Sequence, residues 1–559
     1  MDSQQNIQKR QKTNALNLLI LCAISLILVM QLHLQFVQKI NWDEFYFLSL
    51  VYDYQRGDLS KPLQTAHVHF FGWLKYISPN EVTQIIAARV VMWGLQLGTL
   101  YFIFKTACRF ISTRSALFAV LSYLGFGFIF IHGTSFRADP IATFLVTGLI
   151  YIFVATPLNY KNLAALSAAL ALALLVTIKV IFFAPLFAAL ALWRLSTAAN
   201  KKALFLRLSM CAGVSIMLFA LGYLVQLNIM PSADVVGSKD MLGNAGRTTL
   251  LESGWFPRSL IIQQHFIFGL ISTLMLFLGF LFILLDIRKE PSGSKRLVAI
   301  LAMGLPLLSL IFYRNAFPYF FAFVFPTVIL WAGYAAERLK KMPILLGLLA
   351  LMIVINIGVQ YKFRLNETHH SQYVTLKELH RIFPETVNYI DKSSMMSSYA
   401  KSGFFMSSWG LKNYRAKNDP VLTKAMKAKV IPVLIDNSPE ISRALHSSKA
   451  SSLLLARDQL SLRENFIPHW GQIWIAGKAL SVSPQDSIFE NLVPGKYTLQ
   501  SNYPVLIDGI SYASGDVVFL ARGQHRAASG QLQDIKLRWG NTLQAPDMAA
   551  PTQPIFTNF

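Results

Sequence analysis

Charge is what this chain has least of. Charged residues are 14% of its 559 residues, against about 25% in a soluble globular domain. With 54% hydrophobic residues and a mean hydropathy of +0.44, the composition excludes an ordinary soluble protein. It points instead to a chain that crosses a membrane many times. Acids are scarcer still, 28 against 51 Lys and Arg, for a net charge of +23. No basic block interleaved with aromatics accompanies that excess, so nucleic acid is not an expected partner. Many of the bases sit in short gaps between apolar runs, where they set topology. Cysteine is nearly absent. Cys22, Cys108 and Cys211 lie in or beside apolar segments, leaving the C-terminal third without a disulfide framework or a cysteine-based zinc site. There is no Gly-rich phosphate loop, no nucleotide-binding pattern and no internal repeat.

What is present is a series of apolar segments, about eleven, at roughly 15–34, 83–107, 115–132, 140–156, 163–178, 180–193, 207–228, 264–286, 297–313, 318–336 and 343–361. All are candidate spans, although the fifth and sixth are short and Lys179 is their only separator. The first follows Lys9, Arg10 and Lys12 but is longer than a signal core and lacks a small-x-small cleavage site, so it is expected to be retained. Basic clusters at Arg109/Arg114, Lys161, Arg194/Lys201/Lys202/Arg207, Arg288/Lys289/Lys295/Arg296 and Arg338/Lys340/Lys341 mark one side as cytoplasmic. An odd number of spans then places the C-terminus outside. The outer side receives a loop at 35–82, the tip 133–139, Lys179, a loop at 229–263 and the tip 313–316. These mix acids, bases and aromatics.

The apolar runs stop near residue 362. The expected division is a membrane domain over 1–361, an α/β domain over 362–465, a β-sandwich-like domain over 466–545 and a disordered tail over 546–559. Strand-like runs fall at 430–435 and 452–456. Closely spaced turn signals follow at 494–497, 507–509 and 513–516.

Several outer-side residues carry chemistry. Asp43 and Glu44 sit among Trp42, Phe45, Tyr46 and Phe47. A polar loop edge is the plain interpretation. Partial burial among aromatics would instead raise a carboxyl pKa and suit a general base. Asp139, before Pro140, reads as a helix N-cap or as a partner for Arg137. Lys179 and Arg314 read as snorkelling cations or as phosphate ligands, with Tyr313, Asn315 and Tyr319 around Arg314. His67 and His69 alternate and would share a face on a strand. They read as substrate contacts or, with Asp43 or Glu44, as metal ligands, so a divalent metal is a candidate cofactor and the metal site itself stays open. Arg247 and Arg258 belong to a loop that either covers a substrate or merely connects helices.

The order of these elements resembles the GT-C membrane glycosyltransferases, in the bacterial branch related to protein O-mannosyltransferases and the lipid A aminoarabinose transferase. The resemblance spans about residues 15–361. It rests on Asp43-Glu44-Phe45-Tyr46 after the first span, the His-containing segment His67-Val68-His69-Phe70-Phe71-Gly72-Trp73, and Arg137-Ala138-Asp139-Pro140. Thr177-Ile178-Lys179 and Tyr313-Arg314-Asn315-Ala316-Phe317-Pro318-Tyr319 complete it. The family's His-Lys-Pro-Pro element is here His67-Val68-His69-Phe70, without the lysine and prolines.

The resemblance implies a multi-pass α-helical protein of a bacterial cytoplasmic membrane, with an extracytoplasmic C-terminal region. It implies an inverting transfer of a sugar from a polyprenyl-phosphate donor to a hydroxyl of a lipid, glycan or protein. Asp43 would be the base, Glu44 or Asp139 would orient hydroxyls, and Arg137, Lys179 and Arg314 would meet the donor phosphate. His67, His69, Asn315, Tyr319, Arg247 and Arg258 would contact substrate. Two other classes compete: a lipid or solute transporter, and a non-catalytic glycan-binding assembly protein.

Overall fold

A computed structural model describes residues 2–60, 62–230, 254–289, 294–446, 453–541, 545–546 and 548–556. The chain divides into two compact units. One comprises Met1–Gln38, Asp53–Trp73 and Ile86–Glu367; the other comprises Lys39–Tyr52, Leu74–Ile85 and Thr368–Phe559. The division therefore assigns Asp43 and Glu44 to the same unit as the C-terminal region, which a cut at residue 361 did not anticipate.

The first unit is helical. Among the described residues eight helices are long and apolar enough to span a membrane, and nine if the bent pair Pro318–Val328 and Leu330–Arg338 counts as one span. The remaining expected segments depart from single full-length spans for local reasons. The run at 115–132 is broken into Thr113–Leu124 and Gly127–His132, and Tyr160–Val176 is a shorter apolar helix. The bent pair turns by 47° just past Pro326, which removes a backbone donor from the helix interior.

Small residues let these helices approach closely, since apolar burial alone does not drive association in lipid. A Cβ on Gly279 would lie 1.8 Å from the Trp331 carbonyl oxygen, so helix Leu270–Lys289 runs against the backbone of Leu330–Arg338. Buried polar groups are shared between helices: the Gln31 amide donates to the Phe130 carbonyl and the Tyr123 hydroxyl to that of Ala322.

The second unit is built on two sheets. Strands β1 (Asn388–Ile390), β2 (Ala400–Lys401) and β3 (Val433–Ile435) are parallel in the order β2-β1-β3. Then come β4 (Phe466–Trp470) and β5 (Ile473–Val482). The first half of β5 pairs with β3 and β4, and its second half pairs with β12 (Gln533–Trp539). Strand β12 also pairs with β7 (Gly495–Gln500), which pairs with β10 (Val517–Leu520). The second sheet has the order β6-β11-β8-β9, from Ser487–Asn491, Gly523–Ser529, Val505–Ile507 and Ile510–Tyr512.

The expected α/β and β parts thus share a sheet. They also share one core that runs from Ile390 through Leu434 and Ala476 to Leu537. Asp508 and Gly509, at φ 51° and 85°, form the two-residue β8–β9 turn that an Asp-Gly pair favours. The run at 452–456 is not a strand: Leu455 caps helix Ala456–Asn465. The described part of the tail expected to be disordered makes contacts within this unit at Ile555 and Phe556. Ile555 is buried and its carbonyl accepts from Gln372, and Phe556 meets the rings of Trp42 and Phe45 edge-on.

Candidate active-site residues

In the helical unit, three separated segments meet at Asp139. Arg137 is extended, at φ −149° and ψ 170°, and makes no side-chain cap. Asp139 is the second residue of helix Ala138–Ala155, so the N-cap reading does not apply. Its carboxylate is only 2% exposed and accepts a hydrogen bond from Lys179 Nζ at 2.6 Å. Arg137 Nε stands 3.5 Å from its other oxygen.

Lys179 enters the cluster because the chain breaks after Val176. Thr177 is extended and caps the 3-10 turn Ile178–Phe183, which turns Lys179 towards Asp139 rather than leaving it as a snorkelling cation. The Tyr319 ring completes the group, with Arg137 Cζ 3.5 Å and Lys179 Nζ 5.2 Å from its centroid. A carboxylate held by two cations is an acceptor already occupied and a weak proton abstractor. Two cations against one carboxylate leave a surplus positive charge against an aromatic wall, an arrangement suited to an anion.

At the tip 313–319 a second pair of bases meets, Arg314 of the tip itself and Arg258 from the start of helix Ser259–Phe268. Arg258 Nε donates to the Arg314 carbonyl at 2.9 Å, and its guanidinium lies 4.2 Å from the Phe317 ring centroid. Burial first, and the neighbouring Arg314 charge second, pull Arg258 below the usual guanidinium range. Burial pushes the Tyr313 phenol up, with the Asp139 carboxylate adding to it. Asn315 is half-buried on the same tip. Arg247 lies outside the described residues.

His67 and His69 do not share a face. The segment is helical, Val68–Phe71 with His67 as its N-cap, and two residues apart on a helix point in nearly opposite directions. His67 is buried, its ring 6.2 Å from that of Phe136. His69 is largely exposed and meets the edge of Tyr54 at 4.8 Å; the partial desolvation of its ring lowers its pKa from the usual value. Among the described residues no three His, Cys, Asp or Glu side chains converge as a metal site would need.

In the second unit, Asp43 and Glu44 open helix Trp42–Arg56. Asn41 Oδ1 accepts from the Asp43 N–H at 3.0 Å, and Glu44 Oε2 accepts from the Asn41 N–H at 3.1 Å. The Glu44 half is that of a capping box, while the Asn41 side chain caps the second amide of the helix, Asp43, rather than the third. This arrangement gives the buried Glu44 a structural task, whereas Asp43 remains half-buried at the helix start.

The C-terminal ends of the parallel strands contribute to the surroundings of this helix. Lys392 Nζ stands 4.3 Å from the Trp42 ring centroid and 3.6 Å from Glu440 Oε2. The Ser397 hydroxyl donates to the Phe45 carbonyl at 3.0 Å. Asp391, fully buried, accepts from the N–H groups of Ser394 and Met395 and from Asn437. None of these was singled out in the sequence. The only hint was that Asp391-Lys392 follows a short apolar strand.

Spanning helices with charged tips, followed in the chain by a strand-rich C-terminal region, make up a fold similar to that of solved GT-C membrane proteins. The chain aligns with ArnT from Cupriavidus metallidurans, solved bound to undecaprenyl phosphate, over 77% of this chain and 94% of that one. The TM-score is 0.55 and the identity 13%, a likeness of fold.

Two further structures align less well. The archaeal oligosaccharyltransferase AglB from Archaeoglobus fulgidus, in complex with an inhibitory peptide and a dolichol-phosphate, gives a TM-score of 0.48 at 11% identity over 76% of this chain and 69% of that one. The S. cerevisiae protein O-mannosyltransferase Pmt1-Pmt2 complex gives 0.34 at 17% over 42% and 35%. Neither likeness is close enough to carry an assignment. No protein-family model and no curated protein matches the sequence.

Proposed function

We propose that this protein is a membrane glycosyltransferase that takes a sugar from a polyprenyl-phosphate donor and transfers it to a hydroxyl acceptor at the outer face of a bacterial cytoplasmic membrane. The observation that carries this reading is the Arg137–Asp139–Lys179 cluster beside Tyr319, a preorganised cationic site on a GT-C fold. Lys179 and Arg137, held in place by Asp139, receive the donor phosphate, and Arg314 of the neighbouring tip and Arg258 bonded to it add positive charge. The polyprenyl chain lies against the apolar spans.

In the proposed step, an acceptor hydroxyl oxygen attacks the anomeric carbon and its proton passes to the Asp43 carboxylate. The bond from the anomeric carbon to the phosphate oxygen breaks, and the phosphate leaves with the electron pair. The configuration inverts. Preorganised donors aimed at the developing charge are worth about 3–4 kcal/mol each. Glu44 is left out of the proton transfer because it serves the capping box. Asp139 is left out because its oxygens are engaged by cations. His67, His69, Asn315 and Tyr319 line the substrate region in this reading, and the acceptor is a lipid, glycan or protein.

Purified protein incubated with radiolabelled polyprenyl-phosphate sugars and candidate acceptors tests this. Labelled product from the wild type, and its loss in a folded Asp43→Asn variant, is the expected result. Counterflow of donor without product would replace the proposal with a transporter.

A further inference from the structure

A second charged site stands at the opposite ends of the spans. The run Ile178–Thr197 begins at the Lys179 cluster and, about 27 Å further along its axis, ends at a cavity of about 530 Å³. That is a normal size for a binding site. Among the described residues its wall brings together the ends of several helices, supplying Arg109, Lys295, Arg296 and Arg338 against a single carboxylate, Asp286.

Asp286 is engaged, accepting from the Tyr334 hydroxyl at 2.7 Å and facing Arg338 Nε at 3.5 Å. Two of the cations are braced by backbone: Arg296 donates to the Phe110 carbonyl, and Lys295 to that of Ser196 at 3.3 Å. Trp193 and Tyr334 also face the cavity; both are residue types that settle at the membrane–water boundary.

Topology alone asks only that bases be numerous on one side of a membrane. It does not ask them to converge on a concave surface, braced by carbonyls and flanked by interfacial aromatics. A surplus of three positive charges, carried largely by planar guanidinium donors, matches phosphate oxygens.

We propose that this cavity binds a phosphate group, of the kind an anionic lipid headgroup presents at the membrane surface, on the face of the bundle opposite the Lys179 cluster. The site stands whether or not the protein transfers sugars.

The test uses the full chain in detergent, loaded with phosphatidylglycerol, cardiolipin or phosphatidylcholine and read by native mass spectrometry. The variant Arg109→Gln/Lys295→Gln removes two cavity cations. Lys201→Gln/Lys202→Gln removes two exposed bases that do not line the cavity. A cation that meets phosphate oxygens inside the cavity contributes about tenfold or more through its charge-assisted hydrogen bond, so the cavity variant should retain at least about 100-fold less. The control variant should match the wild type, and melting in phosphatidylcholine should be the same for all three. A glycerol phosphate arm separates the sources. Displacement of bound lipid by glycerol phosphate supports a headgroup site. Glycerol phosphate binding that needs Arg109 and Lys295, without lipid retention, supports the site with a free phosphate as its occupant. Equal loss in both double variants, or no loss in the cavity variant, overturns the proposal.

Discussion

Replacing Lys179 by Gln removes the nearest partner of a carboxylate that is 2% exposed. Asp139 then keeps only Arg137, at 3.5 Å. Breaking a buried pair by deleting one member costs about 3–5 kcal/mol; because Arg137 remains, the lower end, about 3 kcal/mol, is expected. Asp139→Asn removes the anion instead and leaves two cations facing each other. Lys179 is partly exposed, with 14% of its side chain accessible, so water screens it and the cost should be about 2 kcal/mol. The double variant leaves no orphaned carboxylate and should cost less than the sum by about 2 kcal/mol. Reversible unfolding in mixed micelles gives the three values. Additivity within about 0.5 kcal/mol would refute the coupling. The functional half is separate: Lys179→Gln should weaken binding of polyprenyl phosphate by about tenfold to a hundredfold, the worth of one charge-assisted hydrogen bond. Unchanged binding in the folded variant would remove Lys179 from the phosphate site while leaving its structural role.

Glu44→Gln preserves an acceptor for the Asn41 N–H, so transfer should persist at near wild-type rate where Asp43→Asn abolishes it; the same radiolabel assay compares them. Asn41→Ala deletes the cap and should lower stability by about 1 kcal/mol, measured by thermal unfolding. Gly279→Ala forces a Cβ to 1.8 Å from the Trp331 carbonyl oxygen, whereas Gly127→Ala meets the mobile end of Gln360. The first should sharply reduce the folded yield and the second only slightly, by size-exclusion chromatography in detergent.

Burial lowers Lys478 to about 8 in the folded protein, from its usual 10.5. The unfolded chain therefore binds more protons between those values, and stability of the β5 region should rise as pH climbs from about 8 to 10.5. Lys478→Met should flatten that rise, read as hydrogen exchange of β5 amides corrected for intrinsic rates.

The helical half was legible where length and hydropathy decide, as in Ala15–Val37 or Lys201–Ile229. It was less so where breaks act locally, as after Leu124. Arg137, Asp139 and Lys179 could each be picked out as charges in apolar surroundings, but no local rule says that a tip at 139 meets a residue 40 positions later. The His67/His69 alternation was misread because period two over three residues fits a strand as well as a single helical turn, and burial of Val68 and Phe71 chose the turn. Asn41-x-x-Glu44 was a capping signature in plain view, obscured by the adjacent acid. The shared sheet was not legible, because β5 looks like any ten-residue strand and its two sets of partners lie on either side of it in the chain.

Strand β12 has a consequence for how the protein is made. It lies between β5 and β7 in the sheet, yet among the described strands it comes last in the chain. Until residue 539 has left the ribosome, the second half of β5 and one side of β7 present unpaired backbone groups, an open edge that invites pairing with other chains. Truncation between β7 and β12 would make that transient state permanent. A C-terminal deletion that ends between those two strands should therefore yield aggregated protein.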